Sequence, residues 1–195
     1  MHSRSLRARP IVAPAATLLA ALVVALLMTM IVLVISLIYL WLVDGVVLPP
    51  PAVLRIVGWV ALSGAAFTAL SAFIASFLSS QGAFSALSTI VGTILGFVAG
   101  AYIPVGSLPD AVREVINALP FAQSSMVLRR EFTHGTLDTL TGGVAEAPDS
   151  IATFYGIDLA VGDWSVTAVY VAAILGAMIV VFFSLASVRI RARIV

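Results

Sequence analysis

Three tracts of this 195-residue chain carry no charged side chain: Pro10–Val43, Ile56–Pro109 and Trp164–Val188. A membrane-crossing helix needs about 20 consecutive apolar residues. The first and last tracts therefore fit one crossing each. The middle tract fits two, with a polar break at Ser79-Ser80-Gln81-Gly82. Four crossings return the chain to the side on which it began. Arginines cluster at both ends, Arg4, Arg7 and Arg9 at the start and Arg189, Arg191 and Arg193 at the finish. Basic residues beside a span bias that flank to the cytoplasm. All nine acidic residues then fall on the opposite side. The expected fold is an all-α membrane protein. Four transmembrane helices are joined by a re-entrant or interfacial helix pair on the outer side, in a single domain over residues 1–195.

Composition supports this reading. The chain is 62% hydrophobic and 10% charged, against roughly 45–50% and 25% in soluble domains. Too few polar residues exist to coat a soluble core. A secretory signal has an apolar stretch of about 7–15 residues, whereas the first run here continues to Val43. There are no cysteines, which excludes disulfides, thiolate metal sites and thiol nucleophiles. There are also no lysines and no GxxxxGK[ST] motif, so ATP-driven work would need an ATPase on another chain.

The spans are expected at about 11–43, 53–78, 84–102 and 165–188. Tyr39 and Trp41 mark the outer end of the first, where amphipathic rings favour the headgroup level. Asp44-Gly45 opens a short outer loop that Pro49-Pro50-Pro51 closes. Arg55 can snorkel to the interface from the second span. Gly64, Thr68, Ala72, Ser76 and Ser80 give that span a smooth face. The third carries Gly92, Gly96 and Gly100, a doubled GxxxG of the kind that lets helices approach closely in lipid. That spacing reads either as plain helix packing or, with Thr89 and Thr93, as a subunit interface or substrate path.

Past Tyr102, Pro104, Gly106 and Pro109 stop a regular helix. Ser107 is expected to cap a new helix, with Pro109 and Asp110 in its first turn. An outer helix pair is expected over 108–132. In its first member Leu108, Val112, Val115, Ile116 and Leu119 share one face, and Asp110, Arg113, Glu114 and Asn117 the other. Such a helix lies in the interface or re-enters the outer leaflet. Pro120 ends it, and the second member, Phe121–Phe132, carries Arg129, Arg130 and Glu131. That triplet reads as an interfacial anchor with a local ion pair, or as a gate or hinge contact at the outer mouth. Residues 133–163 are expected to form an irregular outer loop, with room for a small helix or strand pair.

Catalytic chemistry finds little support. His2 and His134 have no metal-ligand spacing, and HExxH and GxSxG are absent. No metal site, cofactor or nucleic-acid partner is expected for this chain. The spans hold no ionisable residue between their ends, whereas ion-coupled transporters usually place such groups at depth. An intramembrane enzyme would likewise need a buried acid, base or nucleophile. What remains is a smooth helical bundle that moves with, or packs against, something else.

The stretch Gly96-Phe-Val-Ala-Gly-Ala-Tyr-Ile-Pro-Val-Gly-Ser-Leu-Pro-Asp110, then Ile116-Asn-Ala-Leu-Pro-Phe121 and Leu128-Arg-Arg130, resembles the permease subunits of ABC-2 type transporters. The resemblance implies the membrane-spanning subunit of an ATP-driven exporter in a bacterial cytoplasmic membrane, with both termini cytoplasmic. It implies a second permease subunit and a separate ABC ATPase that holds ATP and Mg. Thr89, Gly92, Thr93, Gly96 and Gly100 would line the path or the dimer seam. Pro104, Gly106, Pro109, Pro120, Arg129, Arg130 and Glu131 would form the outer cap. The four spans look like the third to sixth of the family's six, which implies a truncated permease, a late-start product or one part of a split subunit. The alternative is a non-transporting accessory or immunity-type protein that binds a partner through its small-residue faces.

Overall fold

The computed structural model describes residues 12–78, 80–133 and 147–194. Four long helices dominate: α1 (Val12–Val43), α2 (Pro50–Ala75), α3 (Gln81–Val98) and α7 (Ala168–Ile194). Each contains a stretch long and apolar enough to cross a membrane. Between α3 and α7 lie a 3-10 turn (Val105–Ser107), α4 (Asp110–Asn117), α5 (Pro120–Thr133) and α6 (Ala147–Phe154). A two-stranded antiparallel hairpin follows, β1 (Ala160–Val161) with β2 (Trp164–Ser165), paired Ala160 to Ser165 and Val161 to Trp164.

α2 is the central helix. Its buried residues are Ala52, Ile56, Val60, Ser63, Ala66 and Ala69, spaced by three or four and so on one face. On one side Leu26, Met30, Leu33 and Leu37 of α1 pack with Ile56 and Val60. On the other, Ala66 shares a core with Met126 and Val127 of α5 and with Val171 and Leu175 of α7. A Cβ on Gly64 would stand 3.1 Å from Leu26, so glycine there permits the close approach of α1.

The contacts also order the bundle's ends. Phe73 lies 5.6 Å from Phe182, and the Arg189 guanidinium sits 3.7 Å from the centre of the Phe77 ring. The arginine-bearing end of α7 therefore meets the α2–α3 turn, at the same end as the N-terminal half of α1. The smaller elements gather towards the opposite end. There α5 runs antiparallel to α2: Phe121 stacks on Phe67 at 4.9 Å, Ser124 hydrogen-bonds Ser63 at 2.5 Å, and Glu131 pairs with Arg55 at 2.7 Å. From Arg55 to Phe67 is about 18 Å at the usual helical rise.

Several local expectations are corrected. α2 begins at Pro50 rather than Val53, because Pro50 and Pro51 occupy its first turn, where a missing N–H costs nothing. α3 stops at Val98, short of Tyr102, because Gly100 turns left-handed. α7 begins at Ala168, since Trp164 and Ser165 are tied into the hairpin. Ser107 does not cap α4. Its hydroxyl donates to Pro104 O at 2.7 Å within the 3-10 turn, and Pro109 is the capping residue. Asn117, expected on the polar face, is buried, while Val112 and Val115 are exposed. In the expected loop, residues 134–146, including His134, Asp138 and Glu146, lie outside the described residues. From Ala147 the chain forms α6 and the hairpin. Met1–Ile11, with the first arginine cluster, also lies outside them.

Candidate functional site

α3 carries the first group of sequence-derived residues. Ser80 caps it, its hydroxyl accepting from Ala83 N–H at 3.2 Å. No residue of α3 is buried. The Thr89 and Thr93 hydroxyls donate within the helix, to Ser85 O at 3.1 Å and Thr89 O at 3.0 Å, and both side chains are exposed. A Cβ on Gly92 would meet nothing within 4 Å. Gly92 borders a cleft of about 260 Å³ between α2 and α3, beside Ser71, Ala75 and Leu95. A neighbouring groove of about 460 Å³ runs over the smooth face of α2 at Gly64, Thr68 and Ala72, against Ala21 and Ala25 of α1.

Gly96 and Gly100 behave differently. The Tyr102 ring folds back over Gly96 and occupies the space a side chain would need. Gly100 adopts φ +68°, a left-handed conformation that ends the helix. Its N–H donates to Phe97 O at 2.9 Å, and Ala101 N–H donates to Gly96 O at 2.9 Å. This pair of bonds is the Schellman arrangement of a helix C-terminus. The apparent second GxxxG is therefore half helix face and half stop signal.

The residue that secures this end is Arg129. Its Nη2 donates to Ala99 O at 2.5 Å and Gly100 O at 2.9 Å, and its Nη1 to Gly156 O at 3.4 Å. Ser125 Oγ donates to the same Ala99 carbonyl at 2.9 Å. A cation beside a helix C-terminus is favoured by the partial negative charge there. Burial lowers the Arg129 pKa from its ordinary value, yet a guanidinium remains charged throughout the physiological range.

Arg129, Arg130 and Glu131 do not pair with one another among the described contacts, so the expected local ion pair is replaced by two distant ion pairs and a set of carbonyl bonds. Successive helical residues point about 100° apart, and each reaches a different element. Arg129 holds the end of α3. Arg130 pairs with Asp158 at 2.5 Å and donates to Ile157 O at 3.0 Å. Glu131 pairs with Arg55 of α2 at 2.7 Å. Pro104 precedes the 3-10 turn, Pro109 caps α4 and Pro120 opens α5. Gly106 admits α6: a Cβ there would stand 2.5 Å from Phe154 Cα. The structure thus gathers Pro104, Gly106, Arg129 and Arg130 around the loop after α6. An open cleft of about 580 Å³ lies between Tyr102, Pro104, Arg129 and Tyr155.

Sequence reasoning missed the polar contacts beneath these elements. Ser63 and Ser124 hydrogen-bond in the interior. Asn117 Nδ2 donates to Ala160 O at 2.9 Å, and Gln123 Nε2 to Asn117 O at 3.0 Å. The available signal was the run Gln123-Ser124-Ser125 inside a helix whose Ala122, Met126 and Val127 are buried. Asp158 pairs with Arg130 across 28 residues and Arg55 with Glu131 across 76, which no local pattern reveals.

Four helices long and apolar enough to cross a membrane agree with a match to a known family. The family model described as ABC-2 family transporter protein matches residues 4–188. This chain belongs to that family. As a member it is a multi-pass membrane component of a transport system. Among curated relatives, Nodulation protein J of Rhizobium meliloti (strain 1021) is 37% identical over 70 residues, 36% of this chain and 27% of that protein. Nodulation protein J of Sinorhizobium fredii (strain NBRC 101917 / NGR234) is 33% identical over 95 residues, 49% of this chain and 35% of that protein. The ABC-2 chain therefore spans about a third or less of the length of these relatives. No solved structure matches.

Proposed function

We propose that this chain forms the membrane-spanning part of an ATP-driven exporter, a single transmembrane domain that meets a second permease subunit. The observation that carries the proposal is α3, a membrane-crossing helix of 18 residues without one buried residue. In lipid, apolar surface alone gives a helix no reason to associate, whereas a small-residue face lets a second helix approach closely. Thr89, Gly92 and Thr93 present such a face. They line the path or the subunit seam, and Gly96 and Gly100 shape its outer end. Pro104, Gly106, Pro109, Pro120, Arg129, Arg130 and Glu131 build the outer cap. Within it α4 and α5 dip into the outer leaflet as a re-entrant pair, a placement supported by the long antiparallel run of α5 along α2.

Both arginine-rich ends face the cytoplasm of a bacterium, in keeping with the positive-inside bias. A separate ABC ATPase on that side holds ATP and Mg and drives the change in exposure. The absence of lysine from the chain supports an ATPase site elsewhere.

Because the chain has no cysteine, a single Thr93→Cys labelled with a photoreactive maleimide gives a clean probe. Illumination of the assembled transporter is expected to capture a permease subunit, identified by mass spectrometry. Val24→Cys on the exposed face of α1 is the control and should capture lipid. Capture of lipid alone at both positions would remove the seam from α3.

A further inference from the structure

Arg55, Arg113 and Arg130 each sit against a carboxylate, at 2.7, 2.6 and 2.5 Å. Among the described residues Arg129 sits against none. Its partners are three backbone carbonyls, two of them at the end of α3. The third, Gly156 O, lies at the C-terminal end of α6, so partial negative charge meets the guanidinium from two helix ends but no full anion among the described residues does. Two of its five N–H groups lie outside those three bonds.

The charge faces a cavity. Among the described residues Arg129 is the sole charged side chain lining the cleft of about 580 Å³, a size within the usual range for small-molecule sites. Ile103, Ile151 and Ile157 make its walls apolar, and the exposed rings of Tyr102 and Tyr155 stand at its edge. The guanidinium fork matches the oxygen spacing of phosphate and carboxylate, and apolar walls suit a hydrocarbon stem. We infer that this cleft binds an anionic amphiphile, a phosphate or carboxylate head on an apolar stem, with Arg129 holding the head. The inference does not depend on the transport reading, because binding is measured without ATP or any partner.

The test uses the purified full chain in phosphatidylcholine nanodiscs, with thermal unfolding followed by tryptophan fluorescence. Ligands that bind the folded state raise the midpoint in proportion to occupancy. Dihexanoyl phosphatidic acid is expected to raise it. Dihexanoyl phosphatidylcholine, whose head is zwitterionic, is not, and inorganic phosphate should bind at least about tenfold more weakly for want of a stem. Arg129→Gln should weaken the phosphatidic acid response by about tenfold or more, as expected for losing a charged hydrogen-bond partner. Since that variant also loosens α3, Ile151→Glu provides the second arm. It places a carboxylate in the cleft and removes none of the three carbonyls that hold Arg129. It should abolish the response while the chain still unfolds in a cooperative thermal transition. An undiminished response in Ile151→Glu, or no response in the parent chain, overturns the site. Equal binding of inorganic phosphate overturns the amphiphile.

Discussion

α2 and α3 are both apolar enough to cross a membrane, yet one is the hub of the bundle and the other has no buried residue. The contrast runs against the most conspicuous sequence signal. α3 carries the glycine repeat, and α2 hides its packing stripe among ordinary residues: Ala52, Ile56, Val60, Ser63, Ala66 and Ala69. Hydropathy marks which segments enter lipid, but it does not say which of them meet inside one chain. Small residues permit close approach without naming the partner. On α2 the permission is used within the chain, by Leu26 of α1 against Gly64. On α3, Gly92 faces open space.

Three substitutions probe that contrast. The largest effect belongs to the packed side. Met126, fully buried between α2 and α7, should cost about 2–5 kcal/mol on replacement by alanine. The check is the thermal midpoint in detergent, and a loss under about 1 kcal/mol would mean that α5 is not part of the core. Next comes the attachment of α3 at its C-terminal end. Gly100→Ala forces a side chain into a left-handed conformation, worth roughly 1–2 kcal/mol. It also sets a Cβ 2.9 Å from both Arg129 Nη2 and Val105 Cγ2. Hydrogen exchange at the α3 C-terminus should rise with it, and unchanged protection there would show that the clasp is dispensable. The smallest effect on folding is expected from Gly92→Leu, within about 0.5 kcal/mol of the parent, with efflux by the assembled transporter lost. A destabilisation matching that of Gly100→Ala would show that α3 is packed within the chain, and the contrast with α2 would collapse.

The charge-free tracts made the crossings legible, because excluding ions from about 30 Å of hydrocarbon leaves a mark on sequence. Helix ends were less legible. Gly100 keeps the four-residue spacing of Gly92 and Gly96, and the same glycine serves a helix face or a helix stop. The prolines that follow, beginning at Pro104, were the clue to the stop. Asn117 reads with the charged residues of α4 because a short helix offers two faces, and it is the tertiary partners, Ala160 O and Gln123, that turn it inward. Arg129, Arg130 and Glu131 were visible as a cluster, but their partners come from elements far along the chain. Pairing across such distances is set by tertiary packing, which no local pattern encodes.

One planar group joins the end of α3 to the loop that follows α6. Both hang from Arg129, so a tug on the Gly156 side is felt at Ala99 without any intervening apolar contact. A lysine at that position would carry the same charge as a single point, lacking the fork that grips two strands of backbone at once. The knot would slip, and the Gly156 loop and the end of α3 would answer to separate forces.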